Sequence, residues 1–557
     1  MSSPAGPSSG TNASAAIAGL LCCALFLVWF NYAVVRPIPF WQETGDYSWY
    51  ALSQAFTFEA KASGEVASNL GFHIHPGVPF GLASWAALRL ETAGLADSRD
   101  RIADALAHAD DFWLWAKVLA LALNFAGIYV LQRMFRGKPL RLLVAAGIYF
   151  SMIPAVYEKS LVQLTNESFS LVFTTLFYFL SYRLLTAEVK APSAAFGPSS
   201  FRSKSGLLVV TLGALAAVGC SLKIYYLAPA FGLVAGLLAS IGVGTLSRQA
   251  AARIALLFGA GFLAVGLTIV LGVISWPSFK GWIGWNWEML SHTSRYGRGD
   301  QGLLRPEFVL DAIVDLSRST HGVFPTILCS AIGIHLVAMW RQSADASWVR
   351  ANFPFSLAVL AGISLNLLGL LKHYSPLSQH YALPLCASLP CLLLVGNGKA
   401  LARRWLWPAL LVVAVLIDLN LRSYASIHAA SLEYANAALR DAAAIKKLPI
   451  APGEKRVWAY FSPVDVAIIP MVSQYAGSSL VSQVIDRTMG PTDTVPFADP
   501  EAADWRYVLF PKTYFPTRES IPVNSRKQFD FVDTKFEVNA SDTITELETF
   551  LVLARAR

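Results

Sequence analysis

The sequence predicts a polytopic α-helical membrane protein ending in a small α/β domain, and three observations carry that expectation. Of its 557 residues 55% are hydrophobic and only 14% are charged, far from the composition of a soluble globular domain. About eleven apolar runs approach the roughly 20 residues that cross a bilayer core at 1.5 Å per residue. After residue 422 the chain turns charged and proline-bearing, with short β-like stretches.

The runs lie at 15–35, 112–131, 140–156, 169–185, 206–221, 224–243, 254–274, 323–340, 353–371, 381–395 and 405–419. Residues 1–14, "MSSPAGPSSGTNAS", lack the basic start of a secretory signal, so they are expected to be a flexible cytoplasmic N-terminus before a retained first helix. Residues 15–422 then form the expected transmembrane domain. All six cysteines (Cys22, Cys23, Cys220, Cys329, Cys386, Cys391) fall inside apolar runs, which makes them packing residues and not a disulfide framework or a CxxC metal site.

Orientation follows from the short loops, because Lys and Arg near span ends are retained on the cytoplasmic side. One set of alternate loops holds Arg133, Arg136, Lys138 and Arg141, then Arg183, Lys190, Arg202 and Lys204, and later Arg341, Arg350, Lys399, Arg403 and Arg404. The opposite hairpins hold one basic residue each: Lys159, Lys223 and Lys372. This asymmetry places the N-terminus in the cytoplasm, with loops at about 36–111 and 275–322, and the tail 423–557, outside. A net charge of +8 distributed in this way sets membrane orientation and argues against nucleic acid as a partner. In the tail a helical start, "HAASLEYANAALRDAAAIKK", precedes the strand-like runs "RVWAYFS", "WRYVLFP" and "FLVLA".

The outward face carries the residues with chemistry. "FWQETGDYSWYALSQAFTFEA" follows the first run and combines Asp46 and Glu43 with Tyr50 and other aromatics, a mixture suited to a sugar's polar edge and apolar face. An interfacial aromatic belt with solvated acids is the plain alternative. Further along, His73 and His75 precede Pro76, which can start a helix. With Asp46 they are candidate ligands for a divalent metal ion, although a His-x-His pair is a weak signal and ordinary capping or hydrogen bonding is its commoner role.

The second long loop holds Trp282, Trp285 and Trp287, then Arg295 and Arg298. Tryptophans there can stack on a sugar or seat a lipid chain, and the arginines can grip phosphate; the alternative is interfacial anchoring. Its "GRGDQG" lacks the spacing of a nucleotide phosphate loop. Glu167, in "LTNESF", stands at the outward mouth of a span, either as a substrate group or as a helix cap with Thr165 or Asn166. Lys372 is accompanied by His373, Tyr374 and His380. Lysines facing outward against the charge rule are candidate partners for a lipid phosphate, the alternative being snorkelling toward headgroups.

The order of a first span, then "DYSWY", then "HIHPGVPFGLASWAALRL" resembles the first extracytoplasmic loop of GT-C glycosyltransferases, among them lipid A aminoarabinose transferases and protein O-mannosyltransferases. "LVQLTNESFSLVFTTLFYFLSYRLL" and "KHYSPLSQHYALPL" are similar to that superfamily's outward acid at a helix head and its basic, aromatic hairpin. Two departures stand out: Tyr47 replaces a second acid, and Gly77 replaces the second proline of "HPPL".

The resemblance implies a GT-C-like enzyme of a bacterial inner membrane that moves a sugar from a polyprenyl-phosphate donor to a lipid, glycan or protein acceptor on the extracytoplasmic face. Asp46 then corresponds to the base, with Glu43 in reserve. Lys372, Lys223, Lys159, Arg295 and Arg298 are the candidates for the donor phosphate, because a leaving phosphate needs positive charge. His73, His75, Tyr50, Glu167, Trp285, His373, Tyr374 and His380 are the candidates for substrate. The rival readings are a transporter or flippase of lipid-linked glycans and a non-catalytic assembly protein. A transporter would place ionisable groups mid-membrane in related halves, whereas here they gather at one face.

Overall fold

Every one of the apolar runs folds as helical backbone. The computed structural model describes residues 9–40, 46–64, 77–190, 204–274, 276–292, 301–302, 306–373, 376–395, 403–449, 451, 455–458, 494–496, 505–512, 517–519 and 542–554. Among these, nine helices are long and apolar enough to cross a membrane, so the chain is an integral membrane protein. The runs at 140–156 and 381–395 give shorter apolar helices, Pro139–Ser151 and Gln379–Leu394. Proline accounts for both. Pro154 follows closely on the first, and Pro384 and Pro390 break the second into a 3₁₀ turn, one α turn and a second 3₁₀ turn.

The helices, in chain order, are α1 (Ser9–Phe30), α2 (Asp46–Ala62), α3 (Val78–Glu91), α4 (Ser98–Ala107), α5 (Ala109–Met134), α6 (Pro139–Ser151), α7 (Ser170–Lys190) and α8 (Lys204–Leu222). They continue as α9 (Ala228–Gly242), α10 (Arg248–Leu267), α11 (Trp276–Ser291), α12 (Pro306–Ser319), α13 (Val323–Gln342), α14 (Ala346–His373), α15 (Leu383–Ser388) and α16 (Arg403–Lys446). The domain boundary expected at 422/423 falls inside α16. The chain divides into two compact units, one of residues 1–29, 68–80 and 118–425, the other of residues 30–67, 81–117 and 426–557.

In the first unit, helix pairs meet through small residues. A Cβ on Gly213 of α8 would strike the Phe258 carbonyl of α10, and one on Gly261 of α10 would strike the Val210 carbonyl of α8. Gly232 of α9 likewise lies on the Ala358 carbonyl of α14. Between apolar helices in lipid, packing replaces the hydrophobic drive, and close backbone approach maximises it. The interior includes Tyr149, Tyr178 and Tyr226, all buried.

The second unit holds α2, most of α3, α4 and the C-terminal sheet. Glu59 of α2 is fully buried and ties the loop helices together. Its Oε2 accepts from Trp85 Nε1 (2.8 Å) and Arg89 Nε (2.7 Å), and its Oε1 from Arg101 Nε (2.8 Å). Arg101 in turn donates to the carbonyls of Leu95 and Ala96, closing the α3–α4 link. The sheet is five-stranded: β1 (Lys455–Trp458), β2 (Thr494–Pro496), β3 (Trp505–Pro511), β4 (Thr543–Glu546) and β5 (Phe550–Ala554), in the order β2-β1-β3-β5-β4. β1 is parallel to β2 and β3; β5 is antiparallel to β3 and β4. β3 and β5 coincide with the expected runs "WRYVLFP" and "FLVLA", and β1 covers the start of "RVWAYFS", whose last four residues lie outside the described residues. Asp441 of α16 secures the hairpin before β5, accepting from the Glu548 N–H (3.2 Å) and the Thr549 hydroxyl (2.7 Å).

Candidate functional site

The first unit gathers a buried, charged and aromatic cluster around Glu167. The turn carrying this residue, Asn166–Phe169, opens α7 and is capped by its flanking side chains. Thr165 Oγ1 accepts from the Glu167 N–H (3.0 Å), and Ser168 Oγ accepts from the Thr165 N–H (3.0 Å). Capping therefore falls to Thr165 and Ser168, and the Glu167 carboxylate is left for other partners.

Lys223 is the first of these. It sits in extended conformation between α8 and the 3₁₀ turn Ile224–Leu227. Its Nζ donates to Glu167 Oε1 at 2.8 Å, and the Tyr225 hydroxyl donates to the same oxygen at 2.6 Å. Glu167 is 0% exposed and Lys223 8%, so the pair persists only because charge and hydrogen bonds offset desolvation. The Lys223 ammonium also lies 4.5 Å from the ring centroid of Tyr381 and 5.6 Å from that of Tyr225. His380 packs edge-on against Tyr381 at 4.3 Å and is near enough to act electrostatically on Glu167. The result is one cation held by one carboxylate and two aromatic faces.

Beneath it the Tyr226 hydroxyl donates to the Asn166 carbonyl (2.7 Å), and its ring meets Phe173 edge-on at 5.2 Å. The Asn166 amide is fully buried, and neither its oxygen nor its nitrogen has a hydrogen-bond partner among the described residues. Native interiors rarely leave such groups unsatisfied.

An apolar cavity of about 310 Å³ opens in the same unit, lined by Ala217, Cys220 and Ser221 of α8, Phe262 and Leu267 of α10, and Phe279 and Trp282 of α11. Gly77 completes the lining. A Cβ there would collide with Ser221 O and the Leu222 backbone, so neither proline nor any other residue with a side chain fits where Gly77 stands. Ser221, on the cavity lining, is two residues from Lys223 in the sequence.

The other expected residues are distributed as follows. Lys159 pairs with Glu158 (3.0 Å) and Gln163 (3.1 Å), while its carbonyl accepts from Thr165. Lys372 donates to the Leu290 carbonyl at the end of α11. Tyr50 is half-buried on α2. Asp46 is the first residue of α2, but its side chain lies outside the described residues, as do those of Trp285 and His373. Glu43, His73, His75, Arg295, Arg298 and Tyr374 lie wholly outside them. Sequence reasoning missed Tyr225, Tyr381 and Asn166 as partners of the cluster. The only signal was the spacing Lys-x-Tyr in "KIYYL" and the tyrosine after His380.

No family model and no curated protein matches the sequence. Among solved structures the chain is similar to a crystal structure of ArnT from Cupriavidus metallidurans bound to undecaprenyl phosphate, with 14% identity and a TM-score of 0.50. The likeness covers 96% of this chain and 97% of that one. The chain has a GT-C fold. At this identity the likeness concerns architecture, and within the GT-C fold the Glu167–Lys223 cluster and the apolar cavity are features of this chain's own residues.

Proposed function

We propose that this protein is a GT-C glycosyltransferase that moves a sugar from a polyprenyl-phosphate donor to a lipid, glycan or protein acceptor at the extracytoplasmic face of an inner membrane. The observation that carries the reading is the buried Lys223, caged by Glu167, Tyr225 and Tyr381 in a unit that also holds an apolar cavity of about 310 Å³. A prenyl tail fits the cavity by its chemistry, and the phosphate then falls beside the ammonium. The undecaprenyl phosphate bound to ArnT, the structural neighbour, supports the same donor class.

In the reaction Asp46 takes the acceptor's hydroxyl proton while the acceptor oxygen bonds to the anomeric carbon. The bond from that carbon to the phosphate oxygen breaks, and the prenyl phosphate leaves with its charge facing Lys223. Lys372, Arg295 and Arg298 add positive charge on the approach. The buried amide of Asn166, without a hydrogen-bond partner among the described residues, supplies a donor and an acceptor for a polar group of the sugar or phosphate.

The test uses purified protein in detergent with a panel of polyprenyl-phosphate sugars. Asp46→Asn should lower transfer by about 10²–10⁴-fold, the range of general base catalysis, with donor binding retained. Unaltered turnover removes Asp46 from its role, and the absence of transfer from every donor by the unmodified protein removes the reaction.

A further inference from the structure

Helix α14 carries a second buried amide, which the reaction described above does not use. Asn366 is 5% exposed, and neither its oxygen nor its nitrogen has a hydrogen-bond partner among the described residues. It interrupts a buried stripe that is otherwise apolar, with Ala358, Val359 and Ile363 before it and Leu370 after it. An asparagine inside a membrane span ordinarily serves as a hydrogen bond between helices. This one makes none among the described residues, and a buried amide left idle is costly.

The packing of α9 on α14 fixes the level at which Asn366 falls. A Cβ on Gly236 would meet the Pro354 carbonyl, one on Gly232 the Ala358 carbonyl, and one on Gly362 the Ala228 carbonyl. The two helices are therefore antiparallel, each four-residue step along one matched by a four-residue step back along the other. One more turn, about 5.4 Å further along α14, sets Asn366 level with Ile224. Helix α14 does touch the 3₁₀ turn Ile224–Leu227. That turn begins directly after Lys223 and contains Tyr225, and both of these residues donate to Glu167. Its Tyr226 hydroxyl donates to the Asn166 carbonyl, so both idle amides adjoin one short segment.

We propose that Asn366 is a specificity-determining residue of the donor site and holds a hydroxyl of the transferred sugar, an inference that rests on the transferase reading above. Chemistry separates its task from that of Lys223. A phosphate oxygen only accepts, so it would use the amide nitrogen and repel the amide oxygen. A sugar hydroxyl donates and accepts at once and can use both ends. The ammonium thus serves the phosphate, and the amide serves the sugar attached to it. A buried amide offered to a hydroxyl discriminates against an analogue that lacks one, because the amide is then left unpaired again.

The experiment measures binding by the full-length protein in detergent of bare undecaprenyl phosphate and of its glucose, mannose, galactose and arabinose esters. The variants are Asn366→Leu, which keeps the branched shape, and Asn366→Ala, which guards against a misfit of the larger leucine. Both should bind the bare carrier as the unmodified protein does. At least one sugar ester should bind about three- to tenfold more weakly to both variants, the worth of one net hydrogen bond. A purely structural role for Asn366 would weaken the bare carrier and its esters alike. Such parallel losses, or no loss for any ester, overturn the assignment. Failure of the unmodified protein to bind undecaprenyl phosphate at all is a different result: it defeats the transferase reading, and the assignment with it.

Discussion

Replacing Lys223 by methionine leaves Glu167 buried without its cation, and the loss of one partner of a buried pair costs about 3–5 kcal/mol. The thermal midpoint of Lys223→Met should fall accordingly, and any loss of transfer by that variant would be ambiguous. Glu167→Gln/Lys223→Met removes both charges and should recover most of the midpoint. Transfer should remain absent if Lys223 faces the donor phosphate; a double variant that turns over like the unmodified protein refutes that placement. Glu59 invites a pH measurement. Burial opposes its ionisation, yet hydrogen bonds from Trp85 and Arg101 and the charges of Arg89 and Arg101 hold its carboxyl below the ordinary 4.5. A folded value under the unfolded one means that this stabilisation is complete above about pH 4.5 and is lost as pH falls through the folded value. Glu59→Gln should therefore flatten the acid limb of the unfolding profile, and coincident acid limbs would show that the carboxylate contributes nothing.

Helix packing in the first unit depends on where glycine sits, and two glycines of α10 separate cause from composition. Gly261 abuts the Val210 carbonyl, while Gly259 has nothing within 4 Å. Leucine at 261 should force α8 and α10 apart at a cost of about 1–3 kcal/mol or more, and leucine at 259 should cost nothing measurable by thermal unfolding in detergent. The helices themselves were legible because an apolar run of about 20 residues has few other solutions. Their contacts were not. The glycines that meet carbonyls read like the glycines that meet nothing, and the proline breaks at 384 and 390 show in sequence only as residues tolerated near helix starts. The site divides along the same line: Glu167, Lys223 and His380 were recognisable as polar residues at apolar boundaries. Tyr225 and Tyr381 were not, because their value lies in a meeting across distant turns. Glu59 looked like one acid in an amphipathic stretch, and nothing local announces that Trp85, Arg89 and Arg101 converge on it.

At the scale of the whole chain, the arrangement of Lys and Arg in alternate loops predicts residues 36–111, 275–322 and 423–557 on the extracytoplasmic side. Reporter fusions within these segments should be active only as exported enzymes; a fusion near residue 50 active in the cytosol would place Asp46 on the wrong side for an exported acceptor. The C-terminal sheet adds a constraint of a different kind. β5, the last described strand, lies between β3 and β4 and supplies the buried run Phe550–Leu553. Among the described residues β4 has no neighbour except β5, so that part of the sheet remains incomplete until residues 550–554 have left the ribosome. Until then β3 presents a bare hydrogen-bonding edge of apolar residues, and the tail depends on prompt completion, or on a holding factor, to avoid sticking to other chains.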